Sequence, residues 1–230
     1  MQTTWLGHGC FKFTTASGQV ILADPWVLGN PACPSDCKSF EKIDTLLITH
    51  GHFDHISDAV LLAKEYQPHV VGIYELCTWL ESKGVGNTCA MNKGGSQQAG
   101  ELGITMVHAD HSCGILDDGK IVYGGEAVGF VVRADGKCIY FSGDTNVFGD
   151  MKLIADLYAP EIAFLPIGDL YTMGPREAAA AARMLGVKTV IPMHFGTFPA
   201  LTGTPVALRA LLRDTAIEVR DLKPGDSTSL

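Results

Sequence analysis

The feature of this 230-residue sequence that most constrains its fold is a series of short apolar runs, rich in β-branched residues and bounded by turn-forming residues. Such runs are typical of β-strands. There are nine of them: FKFTT, VILAD, TLLIT, HVVGIY, ITMVHA, AVGFVVRA, CIYFSGD, IAFLPI and TVIPMH. Helical patterns are predicted at 57–67, 75–83, 149–157, 175–185 and 204–213. The order of these elements predicts an α/β fold with a strand-rich first half and a regularly alternating second half.

The chain length fits one domain spanning residues 1–230, because 230 residues can bury one substantial core. No linker, repeat or low-complexity segment divides it. The polar, glycine-rich stretch 92–103 is the best candidate for the connection between the two halves of that domain.

Charge and cysteine usage limit the function classes. The formal net charge is −8, and no run of Lys or Arg suggests a phosphate-binding surface, so we expect no nucleic-acid partner. The first residues lack the pattern of a secretory signal, and no apolar run approaches the roughly 18 residues of a membrane helix, so we expect no membrane association. The seven cysteines are scattered and odd in number, which favours reduced thiols in the cytoplasm.

Only Cys33 and Cys37 form a close pair of cysteines, in the segment CPSDC. A redox or metal-binding pair is conceivable at this spacing. No second pair of ligands accompanies it, however, which favours a loop with two incidental thiols.

The segment THGHFDH, residues 49–55, concentrates potential metal ligands directly after the apolar run TLLIT. Ligands in α/β sheets bind beyond the carboxyl ends of strands, and we expect this segment to form a turn there, before a helix that begins near Ser57. A polar turn that merely caps this helix would need one Asp or Ser and not three imidazoles. His50, His52, Asp54 and His55 therefore predict metal binding.

Further potential ligands follow other apolar runs. ITMVHADHS ends with His108 and His111, CIYFSGD ends with Asp144, and TVIPMH ends with His194. One such residue would be ambiguous, since a single His or Asp at a strand end is commonly structural. Four strand-to-loop junctions with ligands of the same chemical type are hard to explain by packing alone, and they strengthen the prediction of a metal site.

THGHFDH resembles the His-x-His-x-Asp-His signature of the metallo-β-lactamase superfamily, and HADHS, FSGDT and IPMHFGTFP follow in the order that this superfamily requires. With LGHGCFKF, DPWVLGNP and LPIGDLYTMGP, the resemblance covers essentially the whole chain. It is strongest to a small branch of metal-dependent hydrolases similar to bacterial lactonases of the ascorbate-phosphate type. The resemblance implies a four-layer αββα sandwich with the metal site at one edge of two facing mixed sheets.

The resemblance also implies a ligand set for two divalent metal ions per chain. One ion would be held by three histidines and the other by one aspartate and two histidines, with a further aspartate bridging both. These residues are His50, His52 and His111 for the first ion, Asp54, His55 and His194 for the second, and Asp144 as the bridge. His108 is the alternative to His111, although the HS dipeptide after a short loop matches the superfamily better. Zinc is the first expectation, with manganese, iron and nickel as alternatives.

Four more residues are candidates for contacts around the metals or with substrate. His8 matches a superfamily position near the metals, although a structural role is as plausible from the sequence. Asp24 matches a position that supports the metal-binding turn through hydrogen bonds to its backbone. Asp169 and Thr172 lie in a loop that the superfamily places beside the site. In addition, Phe53 stands where we expect a small residue, so its ring would add an apolar wall.

The resulting functional hypothesis is a dinuclear metal-dependent hydrolase. A metal-bridging hydroxide would attack a small-molecule ester, lactone, amide or phosphoester, and Asp54 would orient it. One alternative is a mononuclear iron oxidoreductase of the persulfide-dioxygenase kind, and another is a non-catalytic metal-binding protein. We expect the substrate pocket to be shaped by loops 26–40, 92–103 and 112–125. Substrate identity and homo-oligomerisation stay open.

Overall fold

The computed structural model describes residues 1–230, which form sixteen strands, six helices and one short 3-10 helix, Ser35–Cys37. The strands are β1 (Gln2–Gly7), β2 (Cys10–Thr14), β3 (Val20–Ala23), β4 (Thr45–Leu47), β5 (His69–Ile73), β6 (Thr88–Met91), β7 (Ser96–Ala99), β8 (Leu102–His108), β9 (Gly114–Asp117), β10 (Lys120–Tyr123), β11 (Val128–Ala134), β12 (Lys137–Phe141), β13 (Ile162–Pro166), β14 (Thr189–Met193), β15 (Glu218–Val219) and β16 (Ser227–Ser229). The helices are α1 (Phe53–Ile56), α2 (Ala59–Tyr66), α3 (Tyr74–Ser82), α4 (Met151–Tyr158), α5 (Pro175–Leu185) and α6 (Pro205–Leu211). The longest helix, α5, has 11 residues, too few to cross a bilayer.

The strands form two seven-stranded mixed sheets and a separate hairpin of β9 and β10. The first sheet has the order β16-β1-β2-β3-β4-β5-β6 and is parallel from β3 to β6. The second has the order β15-β14-β13-β12-β11-β8-β7 and is parallel from β12 to β15. The remaining pairs in both sheets are antiparallel.

The second sheet packs against a different apolar cluster on each of its two faces, as the alternating side chains of β12 show. On β12, Ile139 and Phe141 belong to the larger apolar cluster, which they share with residues of the first sheet, whereas Tyr140 faces the smaller cluster formed with α4, α5 and α6. Residues of α2 and α3 complete the larger cluster. Because successive side chains of a strand point to opposite faces, this division means that α4, α5 and α6 cover the outer face of the second sheet. Helix α3 packs against β5 and β6 of the first sheet. The predicted αββα sandwich is confirmed.

Aromatic rings fill the space between the sheets. Phe11 of β2 meets Phe164 of β13 with ring centroids 4.9 Å apart in an edge-to-face arrangement, and Phe13 meets the same ring at 5.3 Å. Phe11 and Phe164 are fully buried. Such pairs are worth about 0.5–1.5 kcal/mol beyond the burial of their area. They fix the spacing of the two sheets and therefore the positions of the strand ends.

All five predicted helices agree with the structure to within two residues at each end, but three other predicted segments differ. The turn after β4 contains helix α1, so Asp54 and His55 lie on a helical turn and not in a loop. Segment 92–103 includes β7 and the start of β8, so the connection between the sheets is confined to 92–95. Segment 112–125 contains the β9–β10 hairpin. Strand β1 was missed because its sequence, QTTWLG, is not a continuous apolar run.

Candidate metal centre

Three histidines converge at the carboxyl end of β4. Nε2 of His50 lies 3.1 Å from Nδ1 of His52, and Nε2 of His111 lies 3.3 Å from the same Nδ1. His50 and His52 come from the turn between β4 and α1, whereas His111 comes from the loop after β8. The structure thus brings these three predicted ligands together. Nitrogens this close repel one another unless a proton or a cation lies between them, so the group can hold a metal ion.

A second group lies beside the first and contains Asp54, His55, His194 and His8. Asp54 and His55 are neighbours on helix α1, and His194 directly follows β14. Nε2 of His194 lies 3.8 Å from Oδ2 of Asp54, and His8 Nε2 is 2.9 Å from that oxygen. The predicted residues of the second site are therefore adjacent in space, with His8 as an additional member.

Asp144 lies between the two groups. Its Oδ2 is 3.2 Å from Nε2 of His55 and 3.1 Å from Nε2 of His194. The same oxygen is 3.8 Å from Nε2 of His50 and 3.7 Å from Nε2 of His111. One carboxylate oxygen thus faces histidines of both groups, as the sequence prediction of a bridging residue requires.

The donor atoms themselves show that a cation fits here. Asp144 Oδ1, His55 Nε2 and both ring nitrogens of His194 are buried without a hydrogen-bond partner. Buried polar atoms are rarely left unpaired, because each costs roughly 1–3 kcal/mol of stability. Imidazole nitrogens and carboxylate oxygens directed at common points are suitable ligands for borderline divalent ions such as zinc.

Asp24 stabilises the metal-binding turn through hydrogen bonds. Its Oδ1 accepts a hydrogen bond from the backbone N–H of Thr49 at 2.8 Å, and its Oδ2 accepts from the Thr49 hydroxyl at 2.7 Å. Oδ2 is also 2.8 Å from Nδ1 of His55. Since a carboxylate only accepts, Nδ1 of His55 carries the proton and its Nε2 is free to face the site.

Neighbouring hydroxyl groups orient two more rings. The Thr49 hydroxyl donates to Asp24, so it accepts from Nδ1–H of His50, which lies 3.0 Å away. The Ser112 hydroxyl lies 3.2 Å from Nε2 of His52. We assign the proton of His52 to that Nε2. Each ring then directs its unprotonated nitrogen to the site, Nε2 in His50 and Nδ1 in His52.

His8 holds Asp54 in place. It is fully buried, and burial lowers its pKa to about 4, so its ring is neutral near pH 7. Its Nε2–H therefore donates to Asp54, while Nδ1 accepts from the Thr197 hydroxyl at 3.0 Å. His8 therefore binds only Oδ2 of Asp54, and Oδ1 of Asp54 makes no hydrogen bond with His8.

Three residues of the centre have left-handed backbone conformations. The φ angles of His8, Asp24 and His194 are 57°, 48° and 55°, and each residue directly follows the end of a strand. Residues other than glycine rarely adopt such angles, and strain of about 1–3 kcal/mol per residue is typical of functional sites. None of the three is glycine, although Asp and His adopt these angles more often than most other residues do.

Some predicted residues lie elsewhere. His108 is exposed, with its ring against Phe148 and its Nδ1 3.1 Å from Lys93 Nζ, so it does not join the cluster. Asp169 and Thr172 line a separate surface depression and not the cavity of the metal centre. Asp169 instead accepts a hydrogen bond from the backbone N–H of Leu170. Asp169 and Thr172 thus lie outside the cavity lining, and a contact of either residue with substrate stays a prediction.

Cys33 and Cys37 are also outside the centre. All seven cysteines are free thiols. Cys33 is buried in the larger apolar cluster, and burial raises its pKa to about 11. A thiol that stays protonated is a poor nucleophile and a poor metal ligand, which agrees with an incidental role.

A cavity of about 730 Å³ opens onto the centre. Besides ligands of both groups, its walls contain Phe53 of α1 and Leu116 and Ile121 of the hairpin. Tyr171, from the loop that contains Asp169, lines it as well. The sequence predicted 112–125 as a pocket segment, and Ser112 and the β9–β10 hairpin are the parts of it that line the cavity. The other two predicted segments, 26–40 and 92–103, contribute no lining residue.

The two histidine groups differ in their pKa values. Burial lowers the pKa of His50, His52 and His111. Burial also lowers the pKa of His55 and His194, but the facing Asp144 carboxylate more than reverses this. The pKa of His55 rises well above its usual value, and that of His194 rises to about 9.

Known proteins resemble the chain over nearly its whole length. Residues 19–195 match the family described as the Beta-lactamase superfamily domain. A protein of Solibacter usitatus named UPF0173 metal-dependent hydrolase is 62% identical over 226 residues, covering 98% of both chains. A UPF0173 metal-dependent hydrolase of Koribacter versatilis is 54% identical, covering 100% of this chain and 98% of that one. The solved structure of Igni18, a metallo hydrolase from Ignicoccus hospitalis, has a TM-score of 0.87 and 33% identity, covering 99% of this chain and 97% of that one.

The first prediction separates His111 from His108. His111→Ala removes a nitrogen from the three-histidine group, so metal content should fall while the circular dichroism spectrum stays unchanged. His108→Ala should keep the wild-type metal content, because its ring lies outside the cluster. Metal analysis of both purified variants decides between them, and the reverse ranking would overturn the assignment.

The second prediction uses the close approach of Gly9 to His55. A Cβ added at Gly9 would lie 2.7 Å from Cε1 of the fully buried His55 ring, which must then move. Gly9→Ala should therefore lower metal content by about one ion per chain. Gly149→Ala is the matched control, since nothing lies within 4 Å of its added Cβ. Equal metal content in the two variants would contradict the proposed role of His55.

The third prediction concerns the release of protons by the second group when it binds an ion. Because the pKa of His194 is about 9, its ring is protonated at pH 7 in metal-free protein and must lose a proton to bind an ion. The Asp144 carboxylate raises the pKa of His55 as well. The affinity of the second group should therefore rise with pH up to about pH 9. Calorimetric zinc titration at pH 7, in buffers of different ionisation enthalpy, should show proton release. Zinc binding without net proton release would contradict it.

Proposed function

This chain belongs to the family described as the Beta-lactamase superfamily domain and is a metal-dependent hydrolase, and on that basis we propose that it uses two divalent ions to hydrolyse a small-molecule substrate. The scissile group would be an ester, lactone, amide or phosphoester. Zinc is the proposed metal. The cytoplasm is the proposed compartment, which the seven free thiols support.

The observation that carries the dinuclear proposal is the position of Asp144. Its Oδ2 lies within 3.8 Å of histidine nitrogens from both groups, so one carboxylate can serve two ions. The proposed ligands are His50, His52 and His111 for the first ion, Asp54, His55 and His194 for the second, and Asp144 for both. A single-ion site would give no reason to bury a second Asp–His–His group beside the first.

The ions would supply an activated water as the nucleophile at neutral pH and would polarise the attacked oxygen. The chain's own residues prepare the surroundings. Asp24, Thr49 and Ser112 fix the ring orientations described above, so little reorganisation is needed during reaction. His8 keeps Asp54 oriented at the cavity wall, and Asp54 is the residue we propose to orient the nucleophile.

Metal stoichiometry distinguishes this proposal from the two alternatives that the sequence left open. Two ions per chain together with hydrolysis of generic esters or phosphodiesters would support it. One iron per chain would instead favour the mononuclear oxidoreductase. Two ions without hydrolysis of esters, lactones, thioesters, lactams or phosphodiesters would favour a non-catalytic metal-binding protein.

The fourth prediction tests Asp54. Asp54→Asn preserves shape but removes the negative charge, so the variant should keep the ion at His50, His52 and His111 and lose much of the second. Hydrolysis should fall by at least about 100-fold, the order expected when a catalytic polar group is lost. Asp156→Asn, on the exposed face of α4, is the control and should retain both ions and normal turnover. Metal content and turnover are measured on the same sample, and a two-ion Asp54→Asn variant with near-normal turnover would refute the mechanism.

A further inference from the structure

We propose that the substrate is an uncharged carbonyl compound, an ester or a lactone, that carries an apolar group, and that Leu116 and Ile121 of the β9–β10 hairpin bind this group. The inference rests on the proposed hydrolase function, because the hairpin lines the same cavity as Asp54 and Asp144. It narrows the substrate class within that function.

The chemistry of the cavity walls favours neutral substrates. No Lys or Arg is among its thirteen lining residues. The only charged side chains there, apart from histidines, are the carboxylates Asp54 and Asp144, both in the proposed ligand set. Phosphate and carboxylate groups of substrates are usually bound by Arg or Lys. A phosphorylated or carboxylated substrate would find no such partner in these walls, and the protein's net charge of −8 would not attract it.

Apart from Ser112, the remaining lining residues are apolar or aromatic or are glycine, and several are unusually exposed. Ile121 is 81% exposed and Leu116 61%, and the two residues are cross-strand partners in the hairpin. Phe53 and Tyr171, also more than half exposed, line the same cavity. Contiguous exposed apolar side chains at the mouth of a cavity are typical of ligand-binding sites. They line the same cavity as the proposed metal ligands, which indicates that they contact an apolar chain attached to the reacting group.

The hairpin is held rigidly. Ile115, between Gly114 and Leu116, is fully buried in the larger apolar cluster. Asp117 accepts a hydrogen bond from Nε1 of Trp79 at 2.9 Å and pairs with Lys83 at 2.7 Å, which ties the hairpin to α3 and the residue after it. A wall fixed in this way loses little entropy on binding, so it can contribute to affinity and to substrate selection.

Aromatic side chains form another part of the wall of this cavity. Phe53 is next to Asp54 in sequence, and its ring packs edge-to-face on Trp26 at 5.9 Å. Trp26 in turn stacks on Phe198 at 6.0 Å, and Phe198 lines the cavity too. The cavity volume of about 730 Å³ is within the usual range of roughly 300–1,000 Å³ for small-molecule sites. The cavity therefore has room for an apolar chain in addition to the reacting group.

The experiment compares p-nitrophenyl acetate, butyrate and octanoate with p-nitrophenyl phosphate on the zinc-loaded protein. We expect kcat/KM to rise from acetate to octanoate, and the phosphate to be the poorest substrate. Leu116→Gln with Ile121→Gln should lower kcat/KM for the octanoate by at least about 10-fold, because the acyl chain loses apolar contacts, and should lower kcat/KM for the acetate by a smaller factor. Metal content should be unchanged in this double variant.

The matched control is Leu157→Gln with Val206→Gln, which replaces two equally exposed apolar residues outside the cavity. A readout independent of turnover is the fluorescence of N-phenyl-1-naphthylamine, an uncharged apolar dye. The hairpin variant should bind it at least about 10-fold more weakly than the wild type, and the control variant should bind it equally well.

The outcomes separate this inference from the proposed function. Hydrolysis that prefers the phosphate or is indifferent to chain length, or dye binding unaffected by the hairpin changes, would overturn the inference and leave the hydrolase proposal standing. Dye binding at the hairpin without hydrolysis of any ester, lactone, amide or phosphoester by the two-ion protein would overturn the hydrolase proposal. A hairpin variant that changes oligomeric state with unaltered chain-length preference would identify the hairpin as a subunit interface and refute the inference.

Discussion

The structure of the site depends above all on the buried carboxylate of Asp24. A charge without contact to water is costly unless it is hydrogen-bonded, and Asp24 meets this requirement through Thr49 and His55. These three bonds join the end of β3 to the turn after β4 and to helix α1. The same bonds determine which nitrogen of His55 is protonated, and through Thr49 they also determine this for His50. A single side chain thus fixes the backbone of the turn and the direction of two rings.

The sequence predicted the cluster well because its ligands are concentrated and chemically uniform. His50, His52, Asp54 and His55 follow a strand whose burial is evident from TLLIT, and parallel strands end at one edge of a sheet. The choice between His108 and His111 depended on a family pattern, and the structure places only His111 among the other histidines. The role of His8 could not be read from the sequence, because its partners Asp54 and Thr197 are 46 and 189 residues away.

Three other features of the structure could not be predicted from the sequence, each for a physical reason. The hairpin was expected as a loop because its strands, GILD and KIVY, are short and mix apolar with charged residues. Asp169 and Thr172 were expected at the site from their loop, but side-chain direction decides contact, and Tyr171 between them is the residue that lines the cavity. The left-handed conformations of His8, Asp24 and His194 arise from tertiary packing, which no local pattern encodes.

The distribution of ligands over the two sheets has a consequence for assembly of the molecule. The segment that follows β4 of the first sheet supplies His50, His52, Asp54 and His55, whereas the segments that follow β8, β12 and β14 of the second sheet supply His111, Asp144 and His194. Neither half of the chain alone contains a complete coordination set. Ion binding is therefore linked thermodynamically to docking of the halves, and part of its free energy would contribute to the stability of the sheet-to-sheet interface. Depletion of metal would weaken the architecture at the edge of the two sheets that carries the ligands.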